Sequence, residues 1–438
     1  MADRDQFDDS MRGSLQICVT AVVAGVFIGF AGGAFRWCLD TADRLRGHLV
    51  DWAHSLPGPG WLVPIAVAAA GATLAGLIVR WEPLAAGSGI QHVEAVFLGE
   101  ARPPLIRLLP AKFVGGVLSM GSGLVLGREG PTVHMGAAIG AETARRARLP
   151  DPEVRMMQTA LGGAGLAVAF NAPIGGALFT LEEVTKSFRM KTVLAAVFSA
   201  ATAVACSRVV LGNHADFDVE PIGTPALGWL PLFLVFGVLT GIIGAAYNGL
   251  VLWFLDHIAA IRRIPTLAKA AVIGGIIGAA MFVYPKSVGG GDDLTQQILS
   301  GEHIVISVVI ALLVVRFIAG PLSYSAAVPG GLFAPLLAVG ALWGLLFTAC
   351  FEAVWPDDAT QLAVPMALVG MAAFFGATVR APVTAMVLVT EMTATTEVLI
   401  PMMVATAAAV LVANLVGSPP IYDSLRDRMP EDLKQRGA

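Results

Sequence analysis

Long apolar runs separated by short polar breaks dominate the chain. They occupy Leu15–Phe35, Trp61–Val79, Met156–Phe179, Val193–Leu211, Leu227–Leu255, Leu267–Tyr284, Ile304–Ile318, Leu332–Val354 and Leu399–Val416. A helix that crosses a bilayer needs about 20 apolar residues, and several of these runs fall short. Glycine and proline interrupt the pattern at Gly115-Gly116, Gly127–Pro131 and Pro329–Pro335. Broken backbone at membrane depth is tolerated only where protein buries it or where it lines a cavity. The pattern therefore predicts an all-α polytopic membrane protein with many tilted and broken helices, and a transport site where the breaks meet.

Composition narrows the class. Of 438 residues, 56% are hydrophobic and 14% charged, with a mean hydropathy of +0.74. A soluble fold cannot hide that much apolar surface. The 49 glycines allow close helix contact. A net charge of −4 excludes a strongly basic nucleic-acid surface. Cys18, Cys38, Cys206 and Cys350 lie far apart in apolar surroundings, so they read as small hydrophobes, with neither a disulfide framework nor a metal knuckle. The acidic start MADRDQFDDS is not a signal-peptide n-region, and Leu15–Phe35 reads as a retained helix. After Val416 only a short polar tail is expected.

An internal repeat organises the rest. Asn171-Ala172-Pro173-Ile174 followed by Glu182 matches Arg380-Ala381-Pro382-Val383 followed by Glu391, nine steps from Pro to Glu in both. Upstream, Pro131 to Gly136 matches Pro335 to Gly340, five steps in both, so the two offsets are 209 and 204. The expected division is a polar segment 1–13, a first membrane repeat 14–212, a second repeat 213–418, and a final segment 419–438 carrying Tyr422.

Flanking charge orients the halves. The connector after the first Gly–Pro motif carries Arg145, Arg146, Arg148 and Arg155, whereas its counterpart carries Glu352, Asp357 and Asp358. Past the first Glu motif stand Lys186, Arg189 and Lys191; past the second stands only Glu397. Lys and Arg favour the cytoplasmic side, so equivalent connectors are predicted on opposite faces, as in an inverted-topology repeat. Arg44, Arg46, Arg262 and Arg263 do not fit either face readily.

Three breaks share one design. Gly87-Ser88-Gly89-Ile90, Gly127-Arg128-Glu129-Gly130-Pro131 and Gly331-Leu332-Phe333-Ala334-Pro335 each place small or proline residues just before an apolar helix. The helix start then offers unpaired N–H groups and about half a positive charge, which suits a small anion. Partial charges hold an anion weakly enough to release it quickly, as throughput requires.

These segments in this order, with the late Tyr422, resemble the filter of the CLC family of chloride channels and chloride/proton antiporters. The resemblance extends through Ala169–Pro173, Glu182-Glu183, Arg380-Ala381-Pro382 and Glu391-Met392-Thr393, from about Leu15 to Tyr422. It implies that the hydroxyls of Ser88 and Tyr422 coordinate a central chloride. The backbone amides of Leu332 and Phe333, and those around Glu129 and Gly130, complete the path. It further implies that Glu129 is a gate whose carboxylate takes an anion's place, and that Glu183 passes protons in from the cytoplasm. Lys112 matches a family lysine that adds positive potential near the path, beside the plainer reading of a helix-end lysine reaching water.

Arg128 supports the Glu129 segment; adjacent helical residues rarely face each other, which argues against a simple Arg128–Glu129 pair. Glu182 has a repeat counterpart in Glu391 and so suggests a shared structural role. Two departures stand out: Gln91 replaces the family's proline, and Ala326-Ala327-Val328 replaces a Gly/Ser-rich run.

The reading is thus an antiporter exchanging chloride for protons in the cell membrane, a homodimer by resemblance, with one pore per subunit. A passive chloride channel is the alternative, and Glu183 argues against it. No nucleophile–base pair marks an intramembrane enzyme, and the histidines show no metal spacing. No cofactor is expected.

Overall fold

The computed structural model describes residues 2–219, 221–353, 355 and 360–436. Asp357 and Asp358 of the acidic connector, and Val354 at the end of one apolar run, lie outside them. Eighteen helices are formed among the described residues. In the first half they are α1 Ala2–Ser55, α2 Leu62–Trp81, α3 Ile90–Leu98, α4 Leu108–Gly121, α5 Glu129–Arg146, α6 Asp151–Phe170, α7 Pro173–Phe179 and α8 Met190–Leu211. The second half holds α9 Leu230–Ala260, α10 Thr266–Val283, α11 Asp292–Leu299, α12 Ile306–Tyr324, α13 Phe333–Glu352, α14 Ala363–Val379, α15 Pro382–Thr393 and α16 Leu399–Leu415. Two short helices, α17 Ile421–Asp427 and α18 Glu431–Lys434, follow. Among the described residues, seven helices are long and apolar enough to cross a membrane. The protein is a multi-pass membrane protein.

The two halves repeat the same main helix pairings. In the first, α1 packs on α8, α5 on α6, and α6 on α8; in the second, α9 packs on α16, α13 on α14, and α14 on α16. Counterparts also meet directly, α2 with α10, α7 with α15 and α5 with α13, so the pseudo-two-fold axis passes between them. Small residues set the spacing. A Cβ on Gly29 would lie 2.5 Å from the Ala203 carbonyl, and one on Gly241 would lie 2.6 Å from the Ala409 carbonyl. Backbones this close are the usual way helices associate in lipid, where apolar burial alone gives little drive. The outward stripe of α1 is apolar too: Leu15, Val19, Val23, Phe27 and Phe30 are exposed, while Ile17, Ala21, Ala24 and Ile28 are buried.

The relative orientation is inverted. The Gln16 side chain donates to the Ala147 carbonyl, so the early part of α1 lies at the Arg-rich end of α5. On that basic face Arg145 donates to the Pro103 carbonyl and Arg102 N–H to the Lys434 carbonyl. Asp256 near the end of α9 pairs with Arg428, which brings the Arg262-Arg263 connector to the same face. The start of α9 and the end of α13 meet at the opposite face, where Trp229 packs edge-on against Phe351 at 5.6 Å. Thus α5 ends on the basic face and α13 on the other. Arg44 and Arg46 fall on this second face, Arg46 paired with Asp43.

The structure refines the apolar runs in three places. The run Met156–Phe179 is not one helix: Asn171 adopts a left-handed turn (φ 50°) and Pro173 starts α7. Its counterpart Arg380 (φ 76°) makes the same break before Pro382. Leu15–Phe35 is part of a much longer helix that starts within the polar segment 1–13. Helix α14, buried along most of its length, lay outside the apolar runs picked from sequence.

Candidate functional site

The three predicted breaks converge at the centre and are stitched together by backbone. Gly127 and Gly331 exchange two hydrogen bonds, 2.8 and 2.7 Å, on the pseudo-two-fold axis. Gly87 N–H donates to the Val328 carbonyl at 3.0 Å, and Gly330 N–H donates back to the Gly87 carbonyl at 3.1 Å. Ser119 Oγ donates to the Pro329 carbonyl at 2.5 Å, while its counterpart Ser323 Oγ accepts from Val125 N–H at 3.1 Å. Each break is thereby fixed by the opposite repeat. The starts of α5 and α13 face each other with their first-turn N–H groups free of intrahelical partners.

Glu129 opens α5, fully buried, and its carboxylate reaches across the axis. Oε2 accepts the Ala334 N–H in the first turn of α13 at 3.3 Å; Oε1 finds no hydrogen-bond partner among the described residues. Its neighbour Arg128 turns away, donating to the Ala169 carbonyl at 3.1 Å. It lies 3.6 Å from both Asp216 and Asp292 and 3.8 Å from Asp40. The carboxylate is therefore held by a backbone dipole with Arg128 committed elsewhere, as adjacency on a helix predicts.

Ser88 and Tyr422 are completely buried, and neither hydroxyl finds a hydrogen-bond partner among the described residues. Buried hydroxyls are ordinarily satisfied, so two left free beside helix starts mark a polar site. Gly130 lies against Ser88: a Cβ there would be 2.3 Å from the Ser88 Oγ. Leu332 caps α13 and Phe333 is its first residue. The Phe333 ring stacks on Tyr422 at 5.6 Å and touches Phe375 at 4.5 Å and Phe179 at 5.8 Å.

Lys112 does not reach for water. Its Nζ donates to the carbonyls of Gly87 and Ser88 at 2.7 and 3.1 Å, clamping the loop before α3. Arg316, 204 positions later, clamps the equivalent loop by donating to the carbonyls of Lys286 and Val288 at 3.0 and 2.8 Å. The repeat offset applied to Lys112 would have found Arg316 in the sequence.

Glu183 sits beyond α7 in one π-helical turn, Thr180–Val184, closed by a Thr185 N–H to Thr180 carbonyl bond of 2.9 Å. Such wide turns re-aim side chains and cluster at functional sites. Glu183 is buried at 3% exposure beside Lys186, Asp423, Arg426 and Glu94. Glu94 escaped the sequence reading. It is 2% exposed, with Arg426 3.6 Å away, and its oxygens make no hydrogen bond among the described residues. His92 and His134, scattered in sequence, meet ring to ring with nitrogens 3.0 Å apart. No group of three metal-ligating side chains occurs among the described residues.

Residues 68–414 match the model of the family described as voltage gated chloride channel. The chain belongs to that family. It is 36% identical to the H(+)/Cl(-) exchange transporter ClcA of Vibrio parahaemolyticus over 97% of this chain and 92% of the relative. It is also 36% identical to the protein of that name from Cronobacter sakazakii, over 94% of this chain and 90% of the relative. Among solved structures, a slow cyanobacterial Cl⁻/H⁺ antiporter superposes with a TM-score of 0.88 at 29% identity, covering 94% of this chain and 97% of its own. A fluoride/proton antiporter of the CLC type shares the fold, with a TM-score of 0.76 at 20% identity, covering 96% of this chain and 98% of its own. The family is one of membrane transporters, and the inverted-repeat CLC architecture is this chain's fold.

Proposed function

We propose that the protein is a chloride/proton antiporter of the cell membrane, in which Glu129 is the gate. One observation carries the reading: a buried carboxylate takes a helix-start N–H, the Ala334 amide, that would otherwise serve an anion. Anion and carboxylate compete for that place. Protonation neutralises Glu129 and frees it to leave, so each anion that enters is linked to a proton. The Ser88 and Tyr422 hydroxyls, with the amides of Leu332, Phe333 and Gly130, hold chloride at the centre through neutral donors. Glu183 hands protons to and from the basic face, which is the cytoplasmic one by its Arg content. The names of the relatives, H(+)/Cl(-) exchange transporter, support this choice.

Residues 14–212 and 213–418 are the two repeats, with Tyr422 supplied by the segment after them. The working unit is a homodimer with one pore per subunit. The test is reconstitution into liposomes under an imposed chloride gradient, with chloride and pH electrodes recording together. Uphill proton movement is expected; chloride movement without it would make the protein a passive channel.

A further inference from the structure

The departure at Gln91 has a structural partner. Gln91 Oε1 accepts the Gly89 N–H at 3.2 Å, and the Tyr324 hydroxyl accepts the Ser88 N–H at 3.4 Å. The two side chains flank Gly87, where a Cβ would lie 3.1 Å from the Tyr324 hydroxyl and 3.7 Å from Gln91 Nε2. Beside them lies a cavity of about 380 Å³, lined by Gly87, Gly89, Gln91, Tyr324 and Arg428. Arg428, partly exposed and on the basic face, pairs with Asp256 at 3.3 Å.

We propose that Gln91 and Tyr324 form a neutral latch across the inner mouth of the anion path, and that chloride entering from this cavity displaces it. The proposal rests on the anion route argued above. The loop before α3, whose Gly87 and Gly89 line the cavity, carries two adjacent N–H groups, those of Ser88 and Gly89, and in this chain both are met by side-chain oxygens. Both contacts exceed the usual 2.9–3.0 Å of an N–H to oxygen bond, so each is weak. A chloride offers the same donors a full charge, and charge-assisted hydrogen bonds are roughly twice as strong as neutral ones.

The second repeat shows the contrast. There the loop Gly289–Gly291 leads into α11 through Asp292 and Asp293, so carboxylates stand at that helix start. An ionised side chain holds the positive end of a helix against other anions; a carboxamide and a phenol yield. Proline at position 91 would carry no acceptor at all, so the latch belongs to the Gln91–Tyr324 combination.

The test uses the full chain in liposomes and in detergent. Tyr324→Phe and Gln91→Leu should each tighten chloride binding by about fivefold in titration calorimetry, the loss of one weak competing bond. The double variant should gain less than the product, because both residues close one mouth. Gln91→Glu should weaken binding, since it puts a charge on the latch. Thermal unfolding and gel filtration establish that each variant is folded, and damage to the fold does not raise affinity. Unchanged or weakened binding in both Tyr324→Phe and Gln91→Leu overturns the latch. Wild-type protein that moves no chloride would instead overturn the transport reading itself, so the two failures are distinguishable.

Discussion

Glu182 and Glu391 occupy equivalent positions in the two repeats, and each caps the helix on which the other stands or from which it continues. Glu182 accepts the N–H groups of Val383 and Thr384 at the start of α15, at 3.0 and 2.6 Å, and the Thr384 hydroxyl at 2.7 Å. Glu391, on α15, accepts the N–H groups of Ile174 and Gly175 at the start of α7, at 3.1 and 2.7 Å. The exchange satisfies two helix starts and binds the halves where α7 and α15 cross the pseudo-two-fold axis. It also separates Glu182 from its neighbour: one glutamate is committed to backbone, and Glu183 is left without a repeat counterpart, since Met392 stands opposite.

Removing a cap should therefore weaken the fold without uncoupling transport. Glu182→Ala and Glu391→Ala each strip two backbone donors of a charged partner, at a cost of roughly 1–3 kcal/mol. Thermal unfolding in detergent should shift downward in both, with the ratio of chloride to proton flux kept in the folded fraction. A changed ratio in Glu182→Ala would mean that this carboxylate carries protons after all.

The inverted halves place equivalent connectors on opposite faces. Arg148 follows α5 and Ala353 follows α13, both at the ends of helices that run in opposite directions. Single cysteines there, in a background without Cys18, Cys38, Cys206 and Cys350, should react with an impermeant thiol reagent from opposite sides of oriented vesicles. Reaction of both from one side would contradict the antiparallel course of α5 and α13.

Much of this architecture was legible because membrane burial leaves a strong signal. Matched Pro-to-Glu and Pro-to-Gly spacings exposed the repeat, and the basic connector exposed its inversion. Buried clamps were harder to see. Lys112 matches a family lysine near the path, but neither its grip on the Gly87-Ser88 carbonyls nor the matching role of Arg316 can be read before the loops they hold are in view. Tyr324 and Gln91 meet only through a contact between segments more than two hundred positions apart. Glu94 looked like one more polar residue on a short helix, because nothing in a single sequence says which face of α3 turns inward toward Arg426.

Ser88 and Tyr422 should tune anion binding without carrying protons. Their hydroxyls are buried and free of hydrogen-bond partners among the described residues, so each has a donor to give a halide. Tyr422→Phe, which keeps the ring packed on Phe333, should weaken chloride binding by about tenfold, the value of one lost donor to a charged ligand. Ser88→Pro should shift preference toward nitrate in competition flux assays. Chloride affinity unchanged in Tyr422→Phe would mean that this hydroxyl faces no anion.

Glu129 and Glu183 should fail differently, and the difference separates exchange from simple conduction. Glu129 is bonded to the Ala334 amide at the start of α13, where the proposed anion path runs. In Glu129→Ala the competing carboxylate is gone, so chloride should still move while proton movement and the pH dependence of chloride flux disappear. Glu183 lies beyond the end of α7 among Lys186, Asp423, Arg426 and Glu94, away from the proposed anion path. Glu183→Gln keeps its shape and buries no new charge, so the fold and the chloride site should persist. Proton movement should stop, yet chloride flux should still respond to pH at the outer side, because Glu129 remains to be protonated there. The measurement is proton uptake against its gradient, driven by chloride, in vesicles holding each variant. Normal pumping by Glu183→Gln would return that residue to the role of a buried helix-end carboxylate. Normal pumping by Glu129→Ala would remove the competition on which the whole coupling argument rests.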